Sequence, residues 1–376
     1  MYVSAEQGLG FASLFRRGGR APAPFPLSAP RHWYFYRARN AIYHVFSSLG
    51  FGEKDIVLMP DYHNTNEVAA VRASGAAVRF YPIGRNLEPD LEGLARLVRS
   101  TDARALFVIH YFGWPQPIKE LLALCDAHGL LLFEDCALAL LGETLGRPLG
   151  SFGQYSTYCL YKTLPVPNGG VLAVNAPGVA SFGELALAPC GTTTLLGRTF
   201  ELLLERLRDR WYLGGQAAFA IKRTIGMALR ALDVDRVPFG DIGFDRAHVN
   251  VAISRLSLRL VEGFDYEDIR RRRRANFLML RERLDGGATL FSRELETGMC
   301  PTIFPILVPD KRAAAEALRA RGIAAMEFWN SGDPEARGAD ARFLREHVLE
   351  LPIHQDIAPE QIDYMAREVL NLKLKL

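Results

Sequence analysis

Between about residues 39 and 175, stretches with helical periodicity alternate with short apolar runs that end in turn residues. This alternation is typical of βαβ units, in which a crossover helix joins two parallel strands. The predicted helices include residues 40–49 and 67–74, and the predicted strands are residues 55–59, 78–81, 105–109 and 130–133. The sequence therefore predicts an α/β fold with a mainly parallel, doubly wound sheet.

The length of the chain, 376 residues, favours two domains over one hydrophobic core. Residues 247–284 read as a long helical region, and a smaller α/β unit follows it. In that unit we predict strands at residues 303–308 and 324–328 and helices at residues 311–321 and 359–370. We expect a large domain over residues 1–245 and a small C-terminal α/β domain over residues 246–376.

Residues 195–232 are amphipathic and rich in Leu, Arg, Ala and aromatic residues, interrupted by the Gly214-Gly215 pair. The pattern predicts one or two helices. Their apolar face has three interpretations, in decreasing order of preference: ordinary core, a dimer or lid surface, and a membrane-surface helix.

The charge distribution does not indicate a nucleic-acid-binding protein. The formal net charge is only +3, and Lys and Arg are spread along the chain. Five consecutive arginines, residues 270–274, follow several acidic residues on a predicted helix. We interpret them as a solvated, ion-paired helix face rather than an anionic-ligand site.

The five cysteines show neither CxxC nor Cys/His spacing, so the sequence predicts no disulfide framework and no metal site. This pattern fits a protein of the reducing cytoplasm. No apolar run reaches the roughly 20 residues of a membrane span.

Two residues carry the strongest chemical signal. Asp135 ends an apolar strand, where its carboxylate is partly desolvated, and Lys162 follows 27 residues later in an apolar and aromatic setting. Either residue alone is more often a helix cap or a surface charge. A pyridoxal-phosphate site needs both, a lysine for the Schiff base and a carboxylate that keeps the pyridine nitrogen protonated.

The surrounding motifs are more specific than the pair itself. They are Glu134-Asp135-Cys136-Ala137, Gly150-Ser151-Phe152-Gly153, Tyr158-Cys159-Leu160-Tyr161-Lys162, Gly169-Gly170 and the upstream His110-Tyr111-Phe112-Gly113. In this order and spacing the sequence resembles the DegT/DnrJ/EryC1/StrS aminotransferases, the sugar aminotransferases among fold-type-I pyridoxal-phosphate enzymes. The resemblance implies the fold-type-I architecture, with Lys162 as the Schiff-base lysine and Asp135 as the partner of the pyridine nitrogen.

The resemblance also implies contacts to the cofactor. The phosphate is expected at the start of the first helix, at Ala38 and Arg39, where helix amides and an arginine favour an anion. Tyr62, His63 and Asn64 fall where the family places residues against the ring, and which of them stacks is left open. The serine that helps to hold the phosphate is replaced by Cys159 or, with a different gap, by Thr157.

Three positions depart from the family pattern: Leu138 stands where Gln or His is common, Cys159 replaces a serine, and Asn168 replaces the glutamate of Gly-Glu-Gly-Gly. The leading hypothesis remains an aminotransferase that uses pyridoxal 5'-phosphate and transfers an amino group to a keto sugar, with glutamate as the implied donor and a homodimer as the implied assembly. A pyridoxal-phosphate sugar dehydratase is disfavoured, because the resemblance associates that chemistry with His in place of Lys162. A non-catalytic cofactor- or sugar-binding protein is the alternative from another class.

Overall fold

The computed structural model describes residues 1–15, 22–176, 185–211, 217 and 243–376. The described residues before position 177 form nine strands: β1 His32–Phe35, β2 Ile56–Pro60, β3 Ala77–Tyr81, β4 Ala103–Ile109, β5 Leu131–Asp135, β6 Glu143–Thr144, β7 Arg147–Pro148, β8 Tyr155–Cys159 and β9 Gly170–Val174. Seven of them form one sheet in the order β1-β9-β8-β5-β4-β2-β3, and β6 and β7 form a separate hairpin.

The large sheet is mainly parallel, as predicted. Strands β3, β2, β4, β5 and β8 run parallel, and β9 is antiparallel to both β8 and β1. Strands β8 and β9 are buried at every residue, which is the pattern of a sheet covered on both faces. The four predicted strands of this region coincide with β2, β3, β4 and β5 within two residues at each end.

The helices that cover the large sheet are α1 Ala38–Ser48, α2 Thr65–Ala73, α3 Leu91–Arg99 and α4 Ile118–His128. Local sequence fixes several of their ends. Asp90 accepts a hydrogen bond from Glu92 N at the start of α3, and α4 ends at Gly129, whose φ of 67° is left-handed. Helix α5, Thr192–Arg210, follows β9 along the chain.

The C-terminal part contains helices α6 Arg255–Val261, α7 Tyr266–Leu284, α8 Lys311–Ala320, α9 Ala339–His347 and α10 Pro359–Asn371. They accompany an antiparallel sheet of β10 Thr289–Leu290, β11 Ile303–Leu307 and β12 Val348–Pro352. This is the smaller α/β unit that the sequence predicts. The boundary between residues 245 and 246 stays a prediction.

Two predictions for this unit are wrong. The helical region 247–284 is divided into α6 and α7, because Ser254 and Asp265 each cap a new helix. Residues 324–328 do not form a strand, since Met326 makes only an isolated bridge to Glu350 and the chain then turns at Trp329, whose φ is 52°.

The first residues of the chain pack on the C-terminal unit. Val3 forms a parallel bridge with Ile323, and its amide donates to Gly322 O over 2.9 Å. Leu9 N donates to Leu202 O on α5, also over 2.9 Å. The N-terminal segment, residues 1–10, therefore connects the C-terminal unit with α5.

Helix α5 covers the described part of the predicted helical stretch 195–232. Leu202 and Leu204 are buried, whereas Leu196, Phe200, Leu207 and Trp211 are exposed. Residues 212–216 and 218–232 lie outside the described residues. No helix in the described ranges combines the length and apolar character needed to cross a membrane.

The arginine run lies on α7 and is only partly a solvated face. The exposed Arg271 and Arg272 pair with Asp268, and the partly buried Arg270 pairs with Glu143, as expected for an ion-paired helix face. Arg273, however, is completely buried. The prediction is therefore wrong for this residue, which faces the interior between α7 and the large domain.

Candidate active site

Asp135 lies at the carboxyl end of β5, next to Ile109 of β4 and Thr157 of β8 in register. Its side chain is buried, and burial raises the pKa of the carboxyl group, while the Ala137 amide and the Lys162 and His110 side chains lower it. Ala137 N donates to Oδ1 over 2.8 Å. This is the one hydrogen bond to the carboxylate from the part of the chain that the structure describes, so Oδ2 can accept from a further donor.

Lys162 lies in the short 3-10 turn Leu160–Lys162, which follows β8 directly. Leu160 N donates to Gly169 O over 2.9 Å, which closes the loop between β8 and β9. The Nζ atom lies 5.8 Å from the centroid of the Phe328 ring. Lys162 lowers the pKa of both Asp135 and Cys159 against the larger effect of burial, so the structure brings these three side chains together.

The start of α1 lies beside the same strand ends. Thr157 Oγ1 donates to Ala38 O over 3.4 Å, which links β8 to the first residue of the helix. Gly170 permits this approach, because a Cβ there would lie 2.2 Å from the carbonyl carbon of Arg37. The structure therefore brings together two candidate phosphate contacts, Ala38 and Thr157, and Thr157 is paired with Asp135 in the sheet.

The arginines at this helix start have different surroundings. Arg37 is buried, and burial lowers the pKa of its guanidinium group. Arg39 donates to Asn66 Oδ1 over 2.8 Å and to Gly243 O over 2.6 Å. Its side chain thus holds α2 and the segment that begins at residue 243, and a phosphate contact from Arg39 stays a prediction.

The three residues predicted to lie against the cofactor ring, Tyr62, His63 and Asn64, have different surroundings. The ring of His63 stacks on Phe80, its Nδ1 donates to Pro60 O over 2.8 Å, and its Nε2 accepts from Asp333 N over 3.1 Å. Asn64 caps α2 in a capping box with Glu67. Both side chains thus serve the local structure, and a contact of either with the cofactor ring stays a prediction.

Tyr62 is completely buried in an aromatic cluster. Its ring centroid lies 5.4 Å from that of Tyr111 and 5.0 Å from that of Trp329, and Arg345 lies over the ring. A contact of Tyr62 with a cofactor ring stays a prediction.

Glu134 is a site residue that sequence reasoning named only as part of a motif. Its carboxylate accepts hydrogen bonds from His110 Nε2 (3.0 Å) and from the amides of Gly150 (3.0 Å), Phe152 (2.8 Å) and Gly153 (2.6 Å). This residue therefore holds the Gly-x-x-Gly turn against the end of β5. In the sequence, the acidic residue at the strand end and the two glycines that follow it at fixed spacing indicate this role.

His110, Glu134 and Cys136 lie within 4.8 Å of one another and could be taken for a metal site. His110 Nδ1 accepts from Gln116 N over 3.1 Å, so Nε2 carries the proton that it donates to Glu134. Because both ring nitrogens and both carboxylate oxygens have partners, this cluster is a hydrogen-bond network and offers no open ligand position.

A cavity of about 240 Å³ lies beside Lys162. Its wall includes Leu138, Phe328, Arg273 and His354, with residues 5–7 of the N-terminal segment on one side. Leu138, a departure from the family pattern, therefore supplies an apolar surface here.

Asn168, another departure, has a structural role. Its Oδ1 accepts from Ser254 N over 2.9 Å and so anchors the start of α6. Cys159, the third departure, is buried in the same strand as Thr157.

Comparison with known proteins gives a consistent result. Residues 38–188 match the model of the DegT/DnrJ/EryC1/StrS aminotransferase family. GDP-perosamine synthase of Vibrio cholerae is 32% identical over 139 residues, 36% of this chain and 38% of that protein. The dTDP-4-dehydro-2,3,6-trideoxy-D-glucose 4-aminotransferase of Saccharopolyspora spinosa is 29% identical over 143 residues, 37% of each protein. The matches thus span less than two fifths of these relatives.

Solved structures extend the similarity of fold to nearly the whole chain. PseC of Helicobacter pylori, an aminotransferase involved in the biosynthesis of pseudoaminic acid, has a TM-score of 0.68 at 14% identity and covers 99% of both chains. The aminotransferase TlmJ of Streptoalloteichus hindustanus has a TM-score of 0.67 at 18% identity, covering 99% of this chain and 98% of its own. The predicted family resemblance is therefore confirmed for residues 38–188, which match the model of the DegT/DnrJ/EryC1/StrS aminotransferases, and nearly the whole chain shares its fold with such enzymes.

Proposed function

We propose that this protein is a pyridoxal-phosphate-dependent aminotransferase that transfers an amino group from an amino acid, with glutamate as the expected donor, to a nucleotide-linked keto sugar. One observation carries the proposal: Asp135 and Lys162 interact near the ends of adjacent parallel strands, beside the N-terminus of α1. Both residues lie within the segment that matches the family. The names of the relatives support a sugar substrate.

The residues present fit pyridoxal phosphate. The buried carboxyl of Asp135 has an oxygen available for a ring N–H, and its ionised form needs a nearby cation because burial disfavours the charge. The amides at the start of α1 suit the phosphate, with Thr157 next to them. When bound, the cofactor supplies an electron sink for the carbon that loses or gains a proton.

Lys162 is the residue of this chain that would handle that proton. We assign to its Nζ atom the roles of cofactor attachment and of general base and acid, removing the proton from the amino donor's carbon and returning one during transfer. The apolar side chains of Phe328 and Leu138 in the adjoining cavity exclude water from this step.

The alternative is a non-catalytic cofactor- or sugar-binding protein. It is favoured by two observations: Leu138 offers no polar group to the cavity, and His63 and Asn64 are committed to other contacts. We rank it second, because neither proton transfer by Lys162 nor charge stabilisation by Asp135 requires those side chains.

The test begins with an absorption titration of the purified protein with pyridoxal phosphate. We expect a visible band from lysine-bound cofactor that is absent in Lys162→Ala and retained in Lys119→Ala, a control at an exposed lysine of α4. Glutamate should then bleach the band, and a nucleotide-linked keto sugar should restore it. Absence of the band at saturating cofactor overturns the proposal, whereas a band that no amino acid bleaches favours the binding protein.

We also propose a cytoplasmic homodimer. The five cysteines are free, which fits a reducing compartment, and the dimer is what the family resemblance implies. Sedimentation equilibrium of the purified protein checks the assembly, and a monomer over the working concentration range overturns it.

A further inference from the structure

The turn that carries Lys162 is held on both sides by side chains from distant parts of the chain. On one side, Gln7 Nε2 donates to Tyr161 O over 3.0 Å. On the other side, Thr163 O accepts from Arg273 Nη2 over 3.1 Å and from Gln355 Nε2 over 3.2 Å. The two carbonyls that flank Lys162 are therefore fixed from outside the large sheet.

Arg273 is the centre of this arrangement. Besides Thr163 O, its guanidinium donates to Thr302 O (2.8 Å), Pro301 O (3.5 Å), Gln355 Oε1 (2.8 Å) and Gln7 Oε1 (3.4 Å). All five partners are neutral oxygens, and no carboxylate of the described residues lies within ion-pair distance of it. Burial lowers the pKa of this guanidinium to about 10.

Placing an unpaired cation in the interior is costly, so its geometry must compensate. A guanidinium offers five N–H groups in a rigid plane and can bridge several segments at once, which an ammonium group cannot. In this way Arg273 on α7 is joined to residues 301–302 before β11, to Gln355 and to the Lys162 turn.

Gln7 is itself held in place by the packing of the N-terminal segment. The next residue, Gly8, lies so close to α5 that a Cβ on it would be 2.6 Å from the Cα of Arg206. Gly8 N donates to Asp356 Oδ2 over 3.2 Å, and Asp356 forms an ion pair with Arg206. Gln7 thus joins the Lys162 turn to a segment fixed on both α5 and the C-terminal unit.

We propose that Gln7 and Arg273 are positioning residues for Lys162, holding the carbonyls on either side of it so that its amine keeps one direction. The function of Lys162 in this statement rests on the proposed aminotransferase activity. The N-terminal segment is consequently part of the proposed active-site structure, although it lies outside the segment that matches the family.

The experiment compares Gln7→Ala and Arg273→Lys with a matched control, Gln361→Ala. Gln361 Nε2 donates to Tyr2 O over 2.8 Å, so the control also removes one hydrogen bond between the N-terminal segment and the C-terminal unit but leaves the Lys162 turn intact. Hydrogen exchange is followed in peptides spanning residues 160–166, with and without pyridoxal phosphate. Visible circular dichroism of bound cofactor and the separate kcat and KM values are recorded for the loaded enzymes.

We expect exchange in residues 160–166 to be roughly tenfold faster in Gln7→Ala than in the control, the change for one lost hydrogen bond. In the loaded enzyme, kcat should fall about tenfold or more, with an altered dichroic band and little change in KM, because the amine is misplaced rather than removed. Equal exchange in Gln7→Ala and Gln361→Ala overturns the proposal. Because exchange is also measured without cofactor, failure of the wild-type protein to bind pyridoxal phosphate would refute the proposed function without deciding the positioning role. If Arg273→Lys does not fold, the comparison of Gln7→Ala with Gln361→Ala still tests the positioning role.

Discussion

Replacing Glu134 by glutamine changes one oxygen of a fully occupied carboxylate into an NH2 group. Oε1 accepts from the amides of Phe152 and Gly153, and Oε2 accepts from Gly150 N and His110 Nε2. In either orientation of the amide, the NH2 group therefore faces two N–H donors. His110 cannot relieve the conflict by moving its proton, because Nδ1 already accepts from Gln116 N.

The expected cost follows from these contacts. Two hydrogen bonds to a charged acceptor are lost, and each is worth about 1.5–3 kcal/mol in a buried setting. Glu134→Gln should therefore lower the free energy of unfolding by about 3–6 kcal/mol, which is a large share of the usual stability of a domain. The perturbation is local, since the side chain keeps its volume and shape.

Urea denaturation at constant pH, followed by tryptophan fluorescence and far-UV circular dichroism, measures this change. Glu120→Gln on α4 is the matched control, because Glu120 is exposed and has the same chemistry. The control should change the unfolding free energy by less than about 0.5 kcal/mol. A loss below about 1 kcal/mol in Glu134→Gln, with an unchanged denaturant slope, would refute the four-bond network.

Burial lowers the pKa of His63 to about 4 in the folded protein. Since the unfolded chain binds this proton more tightly, the free energy of unfolding should fall as the pH drops below about 6.5. Relative to His63→Gln, wild type should lose about 1.4 kcal/mol of unfolding free energy between about pH 7.5 and 5.5, measured by urea titrations, and a constant difference contradicts this. Gly170→Ala places a methyl group 2.2 Å from the Arg37 carbonyl carbon, so it should lower the free energy of unfolding by more than about 2 kcal/mol, as measured by denaturation. It should also weaken cofactor binding in an absorption titration, and an unaltered affinity speaks against a phosphate site at α1. Asp135→Asn should reduce glutamate-dependent bleaching at least about a hundredfold in stopped-flow measurements while the protein still binds cofactor, and a normal rate excludes Asp135 as the ring partner.

Strands β2, β4 and β5 were predictable because burial on both faces leaves nearly continuous apolar runs with turn residues at their ends. Strand β1 lacks this signal, since three of its four residues are only partly buried and it pairs at the sheet edge. Residues 324–328 were predicted as a strand but do not form one, since only Met326 makes a bridge. Their apolar side chains pack around Lys162 and β12 instead. Apolar content alone could not distinguish these cases.

For the candidate site, the sequence could predict that Asp135 and Lys162 lie close together, because one lies at a strand end and the other in a short motif after the neighbouring strand. The capping role of Asn64 could also have been predicted, because its spacing to Glu67 is that of a capping box. Arg273 could not have been identified. Its partners Gln7 and Thr163 lie 266 and 110 residues away, and four neighbouring arginines give the same local pattern.

Glu134 and Asp135 are consecutive, yet the structure gives them different tasks. Successive side chains of a strand point to opposite faces, so the end of β5 directs one carboxylate to the Gly150–Gly153 turn and the other to Lys162. The two amide variants should therefore separate stability from chemistry. Glu134→Gln should unfold more easily but react normally with glutamate below its transition, whereas Asp135→Asn should keep its fold and react slowly. If both variants lost stability and reaction rate in the same proportion, the division of roles at this strand end would be wrong.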